Sequence, residues 1–151
     1  MKKILFLEDE KDVATATIDA LGDYDFVYVD NLIDFHDYII HEKNSFKAFF
    51  LDLQLDLGSS LPILAYKEEI PDVDFDNPTM LEYTPLYGWD YYEYILLNNQ
   101  FVNIKNKFIL ITGHFEWLKD NGYLKKHPTI KIVKKRGDGA LEELISLLKQ
   151  I

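Results

Sequence analysis

Residues 49–55 read FFLDLQL, an apolar run interrupted by Asp52 and Gln54. From Ala48 to Leu53 the one polar residue is Asp52, so the stretch predicts a strand buried on both faces that ends near a carboxylate. Similar short runs lie at Ile4–Leu7, Phe26–Val29, Phe108–Ile111 and Ile130–Val133. Between them the apolar spacing becomes helical. Asp12–Leu21 puts Val13, Ala16, Thr17, Ala20 and Leu21 on one face, with Gly22 at the expected stop. Asn31 is placed to cap a helix whose shared face is Leu32, Phe35, Tyr38 and Ile39. Trp89–Asn98 and Phe115–Asn121 read as further helices, the second closed by Gly122. Ala140–Lys149 reads as the last, with Leu141, Leu144, Ile145 and Leu148 inward.

Strand and helix therefore alternate through the chain. That pattern predicts an α/β fold, a doubly wound five-stranded parallel sheet of flavodoxin-like order 2-1-3-4-5. Ligands in such folds bind beyond the carboxyl ends of the strands, near the switch between strands one and three. The 151 residues suit a single domain spanning 1–151. Residues 58–87 break the rhythm, between the third strand and the third helix. They hold Pro62, Pro71, Pro78 and Pro85, and Glu68, Glu69, Asp72, Asp74, Asp76 and Glu82 against Lys67. Leu61–Ile70 could form a helical turn or two before Pro71. A loop this long is uncommon unless functional or disordered, and it reads as an insertion within the domain. Its apolar residues, among them Ile63, Leu64, Tyr66, Phe75, Leu81 and Tyr83, suggest that parts of it pack down.

With 16 basic and 26 acidic residues the net charge is −10, which argues against a uniform basic face for nucleic acid. The absence of cysteine removes disulfides, thiol catalysis and cysteine-bound zinc. The apolar run after Met1-Lys2-Lys3 is too short for a signal peptide, and no stretch is long enough to span a membrane. A cytoplasmic protein is the expectation. His36, His41, His114 and His127 show no metal-ligand spacing, and Asp72, Asp74 and Asp76 lack the glycine and distant glutamate of a calcium loop.

The polar residues that follow the strands carry the chemistry. Glu8 and Asp9 follow strand one, Asp52 ends strand three, Thr112 follows strand four and Lys134 follows strand five. In the predicted sheet all of them reach one edge, and strands one and three are neighbours. Carboxylates crowded in this way either raise one pKa or hold a cation. An oxygen-rich site with open positions suits Mg²⁺, or Mn²⁺, and a carboxylate can act as nucleophile toward a phosphoryl group. Lys134 would supply a cation and Thr112 a hydroxyl donor for the developing charge. Each residue alone has a plainer reading: Asp52 as a loop or cap residue, Glu8 and Asp9 as favourable charges at a helix start, Lys134 as part of the solvated run Lys134-Lys135-Arg136.

KKILFLEDE, FFLDLQL, YGWDYYEYIL, FILITGH and KIVKK together resemble the receiver domains of two-component response regulators over nearly the whole chain outside the insertion. The resemblance implies a phosphoacceptor at Asp52, a metal held by Glu8, Asp9, Asp52 and the backbone carbonyl of Gln54, and phosphate-facing roles for Thr112 and Lys134. It implies a sensor histidine kinase or phosphotransfer protein as donor. Output would go through contact with a further protein, since no output domain follows helix five. A homodimer through helix four, strand five and helix five is conceivable. The protein would be an acceptor with self-phosphorylation and dephosphorylation only, not a turnover enzyme. Three features depart from the family: the 58–87 insertion, Lys135 where a proline is usual, and Lys131 where a switching aromatic is usual. They leave open a pseudo-receiver that binds a partner without being phosphorylated. A phosphatase with an Asp nucleophile is the third reading, but Gln54 stands where such enzymes place a second Asp.

Overall fold

The computed structural model describes residues 2–55 and 87–151, with Tyr87 described in its backbone only. Five strands form one sheet: β1 (Lys3–Leu7), β2 (Asp25–Val29), β3 (Ala48–Asp52), β4 (Phe108–Thr112) and β5 (Ile132–Lys134). Every pairing is parallel and the order is β2-β1-β3-β4-β5, the flavodoxin-like arrangement. The connections carry α1 (Lys11–Ala20), α2 (Leu32–Glu42), α3 (Tyr87–Leu97), α4 (Phe115–Asp120), α5 (Tyr123–Lys126) and α6 (Ala140–Lys149). The 58–87 insertion lies outside the described residues, except that Tyr87 opens α3.

Helices cover both faces because successive strand residues point to opposite sides. On one side Leu5, Leu7, Phe49, Leu51, Phe108 and Leu110 pack with Leu32, Phe35 and Ile39 of α2 and with Trp89, Tyr91 and Ile95 of α3. Phe49 and Phe108 stack there at 4.9 Å between ring centres. On the other side Ile4, Phe6, Ala48, Phe50, Ile109, Ile111 and Val133 meet Ala14 of α1 and Leu144 and Leu148 of α6. Burying each large apolar side chain contributes about 1.5–3 kcal/mol. The Asn31 side chain accepts from Asp34 N at 2.9 Å and caps α2 as its sequence suggests.

Several details differ from the sequence reading. The buried stripe of α1 is Ala14 with Ile18 and then Leu21, while Ala16 and Ala20 are exposed. Both spacings satisfy a helical period, and the pattern does not choose between them. Leu141, expected inward on α6, is 38% exposed. Strand β5 begins at Ile132, because Ile130 N donates to His127 O in a turn. The short helix α5 follows the left-handed Gly122 and has no counterpart in the sequence reading. Among the described residues no helix is long and apolar enough to cross a membrane.

Candidate functional site

The alternation that builds the core also decides which residues meet beyond it. Ile4 and Phe6 of β1 face α1 and α6, and Glu8 continues their side. Ala48 and Phe50 of β3 face the same way, and so does Asp52. Both carboxylates are fully buried, and Asp9 is half-buried beside them. Carboxylate oxygens of Glu8, Asp9 and Asp52 all lie within 4.8 Å of one another. Backbone donors hold two of them in place: Glu10 N donates to Glu8 Oε2 and Gln54 N donates to Asp52 Oδ1, each at 3.1 Å. The Tyr28 hydroxyl donates to the Glu8 carbonyl at 2.7 Å and fixes the turn out of β1.

The cation at this site is Lys135, not Lys134. Lys135 Nζ lies 3.1 Å from Glu8 Oε2, 3.2 Å from Asp52 Oδ2 and 3.5 Å from Glu10 Oε2. Its side chain is 9% exposed. Lys134 is half-exposed, pairs with Glu116 at 3.5 Å and lies over the Phe115 ring. The reason is again strand parity. Val133 of β5 faces α1 and α6 with Glu8 and Asp52, so Lys134 turns to the opposite side and Lys135 returns to theirs. Lys135 N donates to Thr112 O at 2.8 Å, which carries the extended pairing one residue beyond the strand.

Thr112 ends β4, fully buried, and its Oγ1 accepts from His114 N at 2.9 Å. With Gln54, Glu10, Lys134, Lys135 and Arg136 it lines an open hollow of about 610 Å³ next to the carboxylates. His114, Phe115 and Trp117 form its outer wall. Gln54 is half-buried, and its recorded contact with Asp52 is through its N–H rather than its carbonyl.

Gly88 returns the chain to the end of β3. Its N–H donates to Leu53 O at 3.1 Å. A Cβ there would stand 2.2 Å from Asp52 O and 2.6 Å from Leu53 Cα, so only glycine permits α3 to start against this backbone.

Burial pushes the Asp52 carboxyl up to about 9, and the adjoining Glu8 carboxylate adds to the rise. Burial raises Glu8 as well, against the opposing influence of Asp52, the Glu10 N–H and Lys135. Without a divalent cation the two carboxyls therefore hold a proton between them at neutral pH. Burial alone would lower the Lys135 ammonium, but Asp52 and Glu8 more than offset it and its pKa is raised. With both carboxyls ionised, Glu8 Oε1 is buried with no hydrogen-bond partner. A buried carboxylate oxygen left open, beside two further carboxylates, is a donor set that fits a hard divalent cation.

A solved structure of a sensor protein from Polaromonas sp. JS666 aligns with this chain at a TM-score of 0.57 and 14% identity, covering 99% of this chain and 94% of that one. The two share a fold. No family model matches the sequence, and no curated protein matches it.

Proposed function

We propose that this protein is a receiver-type signalling domain that takes a phosphoryl group on Asp52. The observation that carries the reading is one cluster at the switch point of the sheet: buried Asp52 and Glu8, Asp9 beside them, and Lys135 bridging the first two. The name of the Polaromonas protein, a sensor, agrees with a signalling role.

Glu8, Asp9 and Asp52 would hold Mg²⁺ or Mn²⁺, with the Gln54 carbonyl as a further ligand by family resemblance. Such an ion supplies positive charge that keeps Asp52 ionised and offsets charge on a transferring phosphoryl group. The chain's own residues do the rest. Asp52, its proton released to solvent, attacks phosphorus through a carboxylate oxygen. The bond from phosphorus to the donor's leaving group breaks, and the leaving group departs with the electron pair. Lys135 neutralises oxygens of the incoming group, and the Thr112 hydroxyl, now accepting from His114 N, turns to donate to it. The donor would be a histidine kinase or phosphotransfer protein, and the signal would pass on through protein contacts around α4 and β5. With Lys135 as the site lysine, the family's switch position falls on buried Ile132 and its proline position on Arg136. The usual aromatic switch is then replaced by an aliphatic residue.

A second reading, an interaction module that is never phosphorylated, is favoured by one observation: Lys135 already bridges both buried carboxylates internally. Intact-mass analysis after incubation with acetyl phosphate and Mg²⁺ separates the two. One added phosphate (about two negative charges near neutral pH) is expected on the wild type and not on Asp52→Asn. A folded wild type that gains no mass, even in rapid-quench samples, would favour the interaction module.

A further inference from the structure

Lys135 serves three carboxylates at once, those of Glu8, Glu10 and Asp52. A phosphoryl group on Asp52 would add about two negative charges to this cluster. Beside a divalent cation held by the carboxylates, one ammonium so divided leaves part of the new charge for a further cation to match. A second cation stands beside it. Arg136 Nη2 donates to Glu10 Oε2 at 2.7 Å, and that same oxygen lies 3.5 Å from Lys135 Nζ. Arg136 also lines the hollow shared with Thr112, Gln54 and Lys135.

The Glu10–Arg136 pair is out in solvent, with side chains 49% and 70% exposed. A pair of that kind holds the fold together only weakly. A guanidinium offered a phosphoryl group gains charge-assisted, fork-shaped hydrogen bonds that a single carboxylate oxygen does not match. Lys134 lines the same hollow, but its partners are Glu116 and Phe115 on the α4 side, whereas Arg136 shares its carboxylate oxygen with Lys135.

We propose that Arg136 is a phosphoryl-binding residue, held in reserve by Glu10 and released to the group arriving on Asp52. The inference rests on the acceptor reading above and goes further, because it assigns a phosphoryl-binding role at a position where the family resemblance places a proline. It makes Glu10 an antagonist: its carboxylate occupies the guanidinium and draws on Lys135 until the phosphoryl group competes for both.

The test is the second-order rate constant for labelling by acetyl phosphate with Mg²⁺, read by intact mass on the wild type, Arg136→Ala, Arg136→Lys, Glu10→Gln and the Glu10→Gln/Arg136→Ala double variant. Arg136→Ala should slow labelling about tenfold or more, the scale of one lost hydrogen bond to a charged group. Arg136→Lys should recover part of the rate. Glu10→Gln should speed labelling, and the double variant should lose that gain. The Arg136 Nε–H NMR signal should also shift when the wild type is labelled, and stay in place in Asp52→Asn. A purely structural ion pair gives a different pattern, in which Arg136→Ala and Glu10→Gln change the rate in the same direction. That result, or an unchanged rate in Arg136→Ala, overturns the proposal. A wild type that takes no label overturns the acceptor reading first and this inference with it.

Discussion

Strand β3 ends in a residue of the candidate site and β5 leads directly into one, yet they were unequally readable. Strand β3 lies in the middle of the sheet, paired on both sides and buried at every position. Its sequence is so uniformly apolar that Asp52 stands out and its placement follows. Strand β5 is three residues long, at the sheet edge, with β4 as its one neighbour. It runs into three consecutive cations, and composition cannot say which of them turns inward. At a central strand, composition locates the functional residue. At an edge strand, only the register of the pleat does.

The sharpest way to break that contrast is to exchange the two lysines. Lys135→Ala should lower labelling of Asp52 by about 100-fold or more, the usual scale for removing a donor aimed at developing charge. Lys134→Ala should change it by no more than about twofold, since exposed ion pairs carry little energy. The same acetyl phosphate time course reads both, and equal losses would mean that strand parity does not select the site cation.

Gly88→Ala probes the β3 side from the other direction. The added methyl group meets backbone rather than a movable side chain. It should cost about 1–3 kcal/mol or more in urea unfolding. It should also slow labelling, because the displaced atoms are those of Asp52 itself.

The pH dependence sharpens the comparison further. The ordinary value for Asp52 is 3.8 and its folded value is about 9, so the folded protein binds the proton more tightly than the unfolded chain. Stability of the metal-free protein must then fall as pH rises between those values, because the unfolded state holds fewer protons there. A thermal midpoint that declines from pH 5 to pH 8 without divalent cation, and a flatter profile in Asp52→Asn, are expected in scanning fluorimetry. Added Mg²⁺ should offset the decline, and its affinity should rise with pH. A metal-free midpoint independent of pH would contradict the shared proton. The smallest effect is expected at Leu141, where substitution by Ser should alter stability by only about 0.5 kcal/mol, since the side chain is partly exposed.

Much of the fold was legible because each strand is a compact apolar run and the helices between them keep their period. The order of the sheet followed from alternation alone, and so did the meeting of Glu8, Asp9 and Asp52. Four features lay outside the sequence reading. The inward face of α1 has two candidate stripes of the same period, and the choice depends on how the helix rolls against Phe6 and Phe50. Helix α5 is four residues long, too short for periodicity to register. Lys135 was displaced by one because a strand end was set by its last apolar residue, Val133, without following the pleat onward from it. Counting by twos from Val133 finds Lys135, so that signal was present in the sequence. The Glu10–Arg136 pair had no such signal, because it joins two loops brought together only by the closed sheet.

The Leu53–Gly88 hydrogen bond has a consequence for how this chain could change over time. It fastens the start of α3 to the backbone just past β3, beside Asp52. The entropy of closing a loop grows only with the logarithm of its length, about 0.6 kcal/mol for each doubling. A stretch of roughly thirty residues thus adds only about 1.6 kcal/mol over one of five. The clasp is a splice point: segments of very different length and chemistry can be exchanged there at small thermodynamic expense, each one delivered next to the acidic cluster.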